Sequence, residues 1–139
     1  MMITSTNPMV YTDFPDPDII RVGGVYYMAT TTMHFTPGCD ILRSYDLVHW
    51  EFIAHALNIV ADTPEERLEC EGANAYGRGM WAPSLRYQRG TWYVLFAAND
   101  THVSYLLTAD DPCGPWRKRE LDGFYYDSGL FFDDDDRAY

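Results

Sequence analysis

The chain has 139 residues, 47% of them hydrophobic, enough for one packed domain and too apolar for a disordered polypeptide. Twenty-one acidic residues against 10 basic ones leave a formal net charge of −11, which repels phosphate backbones and anionic lipid and makes nucleic acid and membrane surfaces poor partners. Aromatic residues reach 16%, a surplus that suits a sheet-rich protein or a site where rings stack on a ligand.

Met1 to Val10 carries neither a basic start nor an apolar stretch of secretory length, and no window approaches a membrane span. The expectation is a soluble chain; localisation stays open, with the cytoplasm slightly favoured and secretion still allowed. Cys39, Cys70 and Cys113 are odd in number and form no CxxC pair, so neither zinc nor thiol–disulfide chemistry is indicated.

In chain order, short β-branched or aromatic runs predict strands at 19–22, 25–31, 40–44 and 50–54, then at 85–87, 92–98, 103–108 and 116–119. The second set repeats the first. Pro17-Asp18-Ile19-Ile20-Arg21, Gly24-Val25-Tyr26-Tyr27 and Trp50 each find their counterpart 66 residues later, at Pro83-Ser84-Leu85-Arg86-Tyr87, Gly90-Thr91-Trp92-Tyr93 and Trp116. Gly23-Gly24 and Arg89-Gly90 stand where a tight hairpin needs positive φ. Each unit therefore reads as a four-stranded antiparallel meander, and such sheets repeated radially are the blades of a β-propeller.

A third unit starts near Asp127, where Asp127-Ser128-Gly129-Leu130-Phe131 resembles Asp16-Pro17-Asp18-Ile19-Ile20, and Asp133 to Asp136 supplies an acidic, solvated turn without the ligand spacing of a calcium loop. The fold expected is all-β: blade one at about 14–56, a connection at about 57–80, blade two at about 81–121, and the start of blade three at about 126–139. A ring of five such units needs roughly 330 residues. The expectation is thus the amino-terminal part of one propeller domain, with unclosed edges prone to self-association.

In a propeller the first strand of each blade lines the axis, so the residues heading those strands converge on one mouth. Asp16 and Asp127 hold that place, with Ala82 between them in blade two. Two readings stand: each Asp caps the turn leading into its strand, or the two carboxylates act together as acid/base groups. Trp81, beside Ala82, is either a core indole or a flat platform for a sugar ring. Met33, His34 and Phe35 lie on a loop that overhangs the mouth of blade one, where they would shape a sugar site or face solvent. Trp50, Trp92 and Trp116 follow the repeat and are expected in the core.

The chain resembles glycoside hydrolase family 43 along essentially its whole length. The likeness rests on Asn7-Pro8, on Phe14-Pro15-Asp16-Pro17-Asp18 followed by Arg21-Val22-Gly23, on Pro37-Gly38, on Ser44-Tyr45-Asp46-Leu47-Val48-His49-Trp50-Glu51, on Trp81-Ala82-Pro83-Ser84-Leu85, and on Asp127 before its acidic hairpin. Thr31 to Phe35 and Asn74-Ala75-Tyr76-Gly77 are most similar to its β-xylosidase and α-arabinofuranosidase members. The resemblance implies a five-bladed propeller that hydrolyses glycosidic bonds with inversion, on xylan- or arabinan-derived oligosaccharides or polysaccharides, without metal or cofactor. It implies that Asp16 is the general base and Asp127 the carboxylate that orients the acid and holds up its pKa.

The family's general acid is a Glu farther along the chain, and none of Glu51, Glu65, Glu66, Glu69, Glu71 or Glu120 matches it, so the 139 residues alone are expected to be inactive. The rival expectations are a non-catalytic carbohydrate-binding propeller and a propeller that scaffolds protein interactions.

Overall fold

A computed structural model describes residues 4–34 and 38–139. Among the described residues there are eight strands and no helix: β1 (Asp18–Val22), β2 (Val25–Thr30), β3 (Gly38–Ser44), β4 (Glu51–Leu57), β5 (Met80–Gln88), β6 (Thr91–Ala98), β7 (Val103–Ala109) and β8 (Arg117–Glu120). They form two antiparallel sheets in simple meander order, β1-β2-β3-β4 and β5-β6-β7-β8. Both two-residue hairpins close where the repeat placed them, with Val22 opposite Val25 and Gln88 opposite Thr91. In the second hairpin Arg89 shares the positive φ with Gly90, at 47° and 86°.

The alternation of side chains across a strand gives each sheet two faces. Trp92, Val94, Phe96 and Ala98 of β6, with Tyr105, Leu107 and Ala109 of β7, face the first sheet and meet Ala29, Cys39, Ile41 and Ala56 there, forming one buried cluster. The sheets thus stack face to face, as consecutive blades of a propeller do. Val60 on the connection between sheets is fully buried in the same cluster, and its carbonyl accepts from Lys118 Nζ of β8.

Strand ends differ from the sequence expectation in ways that have local causes. β4 runs on to Leu57 because His55 meets Asp40 across the ladder at 2.7 Å and Leu57 lies opposite Gly38. β5 begins at Met80 rather than Leu85: Met80 and Trp81 pair with Ala98 and Ala97, and the register then shifts before Ser84. The irregularity falls at Ala82-Pro83, where proline has no N–H to give the ladder.

The third unit is a hairpin over the far face of the second sheet. Phe132 bridges Ala138, and the Tyr93 and Phe132 rings lie 4.9 Å apart. Its acidic turn is more than solvated charge. The Asp133 carboxylate accepts from the N–H groups of Asp135 and Arg137, while Asp136 is held by Gln88 and Arg89 at the β5–β6 turn. Of the three tryptophans expected in the core, Trp92 is buried, whereas Trp50 and Trp116 are half-buried.

Candidate active site

Strand directions gather the starts of β1 and β5, the β6–β7 turn and the segment after β8 at one end of the stacked sheets. Backbone bonds stitch that end together. Asn99 N–H donates to Gly79 O (3.0 Å), Met80 N–H to His34 O (3.0 Å), and the buried Thr31 hydroxyl to Met80 O. Pro15 O accepts from Thr31 N–H at 3.2 Å and from the Thr30 hydroxyl, which anchors the residue before Asp16 to the end of β2.

Asp16 lies just before β1, Ala82 is the third residue of β5 and Asp127 opens the third unit; all three have positive φ, at 48°, 22° and 47°. Left-handed backbone is uncommon for residues with a Cβ and costs on the order of 1–3 kcal/mol where it is held. Three such residues at one position of a structural repeat mark a geometry imposed by the surroundings. Asp16 and Asp127 are both exposed, so their carboxylates stand open to a solute.

Directly beyond these positions lies a half-buried polar knot. Asp18 Oδ2 accepts from Leu85 N–H (2.8 Å), from Arg86 Nη1 (2.7 Å) and from the Ser84 hydroxyl (3.3 Å). The Ser84 oxygen in turn accepts from Leu130 N–H at 3.0 Å. Asp18 is two residues past Asp16 and Leu130 three past Asp127, so one hydroxyl joins the strands that carry the two carboxylates.

Trp81 is half-buried, its indole N–H donating to Gly77 O at 3.3 Å and its ring edge-on to Tyr126 at 5.9 Å. Tyr126 directly precedes Asp127, and the ring contacts continue to Phe124 (6.3 Å) and from Phe124 to His102 (4.5 Å). His34 stacks on Tyr76 at 4.7 Å, and its Nδ1 is buried with no hydrogen-bond partner among the described residues. Met33 takes positive φ and donates its N–H to the Thr31 hydroxyl at 2.9 Å. Phe35 lies outside the described residues.

Phe124 and Tyr126 escaped the sequence reading, and Tyr76 entered it only within the Asn74-Ala75-Tyr76-Gly77 likeness, because loops carry no periodicity; the one available signal for the first two was an aromatic residue adjoining Asp127.

Glu66 belongs to this end of the molecule but not to its open mouth. Its carboxylate is 3% exposed and accepts from Ala61 N–H (2.8 Å) and Asp62 N–H (2.8 Å). Burial raises its pKa, those N–H groups oppose the rise, and the neighbouring Asp100 of the β6–β7 turn adds to it. The Asp100 oxygens are buried without a hydrogen-bond partner among the described residues. The two carboxyls bring the connection and the β6–β7 turn together. Among the described residues no group of three or more His, Cys, Asp or Glu side chains is arranged to hold a metal ion.

Comparison with known proteins bears on this geometry. The sequence model of glycosyl hydrolases family 43 matches residues 5–139. A β-xylosidase of Formosa agariphila is 39% identical over 83% of this chain and 19% of its own length. A non-reducing end α-L-arabinofuranosidase of Bacteroides ovatus is 37% identical over 88% of this chain and 23% of its own. A solved structure described as a bifunctional GH43-CE protein of Bacteroides eggerthii superimposes with a TM-score of 0.90 and 42% identity, covering 97% of this chain and 19% of that one. The chain spans about a fifth to a quarter of the length of these relatives. Its two sheets are part of a five-bladed β-propeller.

Proposed function

The chain belongs to glycosyl hydrolases family 43, and on that premise we propose that it carries the water-activating side of an inverting glycosidase acting on xylan- or arabinan-derived saccharides. The reading is carried by one observation: of three equivalent inner-strand heads held at positive φ, two are exposed aspartates. An inverting hydrolysis needs a base that takes a proton from water on one face of the sugar and an acid that protonates the leaving oxygen on the other, with roughly 6.5–9.5 Å between them for that water. Asp16 is the base. Asp127 orients the acid and keeps it protonated, since a neighbouring negative charge disfavours the acid's ionisation. The acid is a Glu that none of the 139 residues supplies, so a protein carrying the remaining blades is the active species.

Uncharged pentosyl units suit a chain of net charge −11, and the relatives named β-xylosidase and α-L-arabinofuranosidase support that choice. Trp81 and Tyr126 offer ring faces and edges to the sugar, and His34 and Met33 stand on the loop beside the terminal site.

The test is Asp16→Asn in the protein with the whole ring, assayed on aryl β-xyloside and aryl α-arabinofuranoside. Loss of a general base lowers kcat by about 10²–10⁴-fold, while sugar affinity stays. Full turnover by the variant, or clear Asp16-dependent turnover by the 139 residues alone, overturns the assignment. Sugar binding without turnover in the unsubstituted protein identifies a carbohydrate-binding propeller instead.

A further inference from the structure

The 66-residue repeat contains a pattern of polar bonds. Asp18 and Ser84 occupy the same repeat position, and each accepts the N–H of the residue that follows that position in the next unit: Asp18 from Leu85, Ser84 from Leu130. Each of the first two units thus hands one side-chain oxygen to the backbone of its successor. In the third unit the equivalent residue is Gly129, which has no side chain to hand on. Ser84 is the link that both gives and takes, since its hydroxyl also donates to Asp18. It is 4% exposed, and Leu130 is 7% exposed, so water does not readily replace either bond.

We propose that Ser84, working through Asp18, is a positioning residue that sets the separation and backbone conformation of Asp16 and Asp127. Three observations carry this. The relay lies two to three residues past each of the strained heads, too few for the chain to absorb a shift. The register irregularity leaves Ala82-Pro83 out of the ladder, so Ser84 is where the strand regains its pairing, opposite Leu95. The Asp18 end is stiffened by the Arg86 guanidinium, which bonds both Asp18 Oδ2 and Leu85 O. Removing the Ser84 oxygen frees the Leu130 N–H and lets the segment from Asp127 to Leu130 slide relative to β1. Ser84 touches no substrate; its effect is on the aim of groups that do.

The inference rests on the proposed roles of Asp16 and Asp127, and the experiment separates the two. In the protein with the whole ring, crystal structures of the unsubstituted form and Ser84→Ala are compared, and kcat and KM are measured for both and for Ser84→Thr, which keeps a hydroxyl. The expected result is a change of about 0.5–1 Å in the Asp16–Asp127 separation, with kcat lower by about 10–100-fold, as misplacements of that size produce. KM changes by less than about threefold, and Ser84→Thr recovers most of the loss. Leu107→Ala, which weakens the same buried cluster from β7 with β6 between it and the relay, leaves kcat and the separation as they were. An unchanged separation in Ser84→Ala, or an equal kcat loss in Leu107→Ala, overturns the proposal. If the unsubstituted protein turns over no glycoside, the enzyme reading fails, and the crystallographic comparison still decides whether Ser84 sets the geometry. Should Ser84→Ala not fold, Asp18→Ala is read by the same two measurements.

Discussion

The two sheets have the same topology and the same repeat, yet they are buried differently. In the second sheet both faces of β6 are covered: Trp92, Val94, Phe96 and Ala98 by the first sheet, and Leu95 and Ala97 on the side where the third hairpin lies. In the first sheet the face toward its neighbour is closed, while the other is closed only at its centre, where Met28 and Leu42 are buried. On the other face Ile19 and Phe52 are 45% and 49% exposed, beside an apolar groove of about 430 Å³ lined by Met9, Phe14, Ile19, Met28, Leu47 and Trp50. β4 is half-buried and apolar, whereas β8 is four exposed residues, three of them basic. Burial in such a fold is therefore set by place in the stack. The repeat dictates which residues lie on which face; the neighbour decides whether that face is closed.

The largest expected effect probes this contrast directly. Phe96 is 1% exposed and stacked on Tyr105 at 5.4 Å, so Phe96→Ala costs about 3–5 kcal/mol through lost burial and a cavity. Phe52→Ala, at the same residue type on the open face, costs less than about 1 kcal/mol. Denaturant unfolding of both variants against the unsubstituted chain checks the pair. A Phe52→Ala cost near that of Phe96→Ala means that the open face of the first sheet is covered in solution.

The joint between the sheets comes next. Thr31 is buried; its hydroxyl donates to Met80 O and accepts from Met33 N–H. Thr31→Val keeps the shape and strands both backbone groups, a cost of about 1–3 kcal/mol. Thermal unfolding of the variant measures it. A neutral substitution shows that the two sheets are joined at the mouth by apolar packing alone.

How far the sequence could be read follows the same division between repeat and neighbour. The 66-residue offset made both meanders and their hairpins legible, because antiparallel strands with two-residue turns are local objects. Asp16 and Asp127, 111 residues apart, were legible as a set through the likeness of Asp127-Ser128-Gly129-Leu130-Phe131 to Asp16-Pro17-Asp18-Ile19-Ile20. The head of β5 was not legible: Trp81-Ala82-Pro83 looks like a loop until Ala97 and Ala98 are seen pairing back across the irregularity. Tyr126 was missed, and the contact of Tyr76 with His34 was not legible, because these rings meet through loops whose course no period dictates. The Asp18–Ser84–Leu130 relay lay within the aligned residues, but an alignment of types cannot say that an oxygen of one unit reaches the N–H of the next.

Glu66 supplies a smaller effect, one with a sign in pH. Its folded pKa is raised by burial and then by Asp100, so the stability it contributes is complete below the ordinary carboxylate range, about pH 4, and is lost as pH rises through the raised value. Glu66→Gln has no proton to lose and keeps an oxygen for the Ala61 and Asp62 N–H groups. Melting temperatures of both forms from pH 4 to pH 8 are expected to diverge, the unsubstituted chain falling relative to the Gln variant as pH rises. Parallel curves mean that Glu66 and Asp100 share no proton, and that the connection is tied to the second sheet by the Val60 packing instead.

The smallest effect belongs to the outer edge. Arg43 and Glu51 lie opposite each other on β3 and β4 at 2.8 Å, and Arg117 and Asp110 make a looser exposed pair at 3.3 Å beside the β8 edge. Both are open to water, where ordering two long side chains offsets most of a screened attraction. Arg43→Ala and Arg117→Ala are therefore both expected to leave the melting temperature within measurement error, in low salt and in high. The informative departure is asymmetric: a salt-sensitive loss in Arg43→Ala alone would mean that the sheet with the open face leans on charge at its edge because it has fewer apolar contacts to hold it. The comparison between the two sheets would then extend from their faces to their rims.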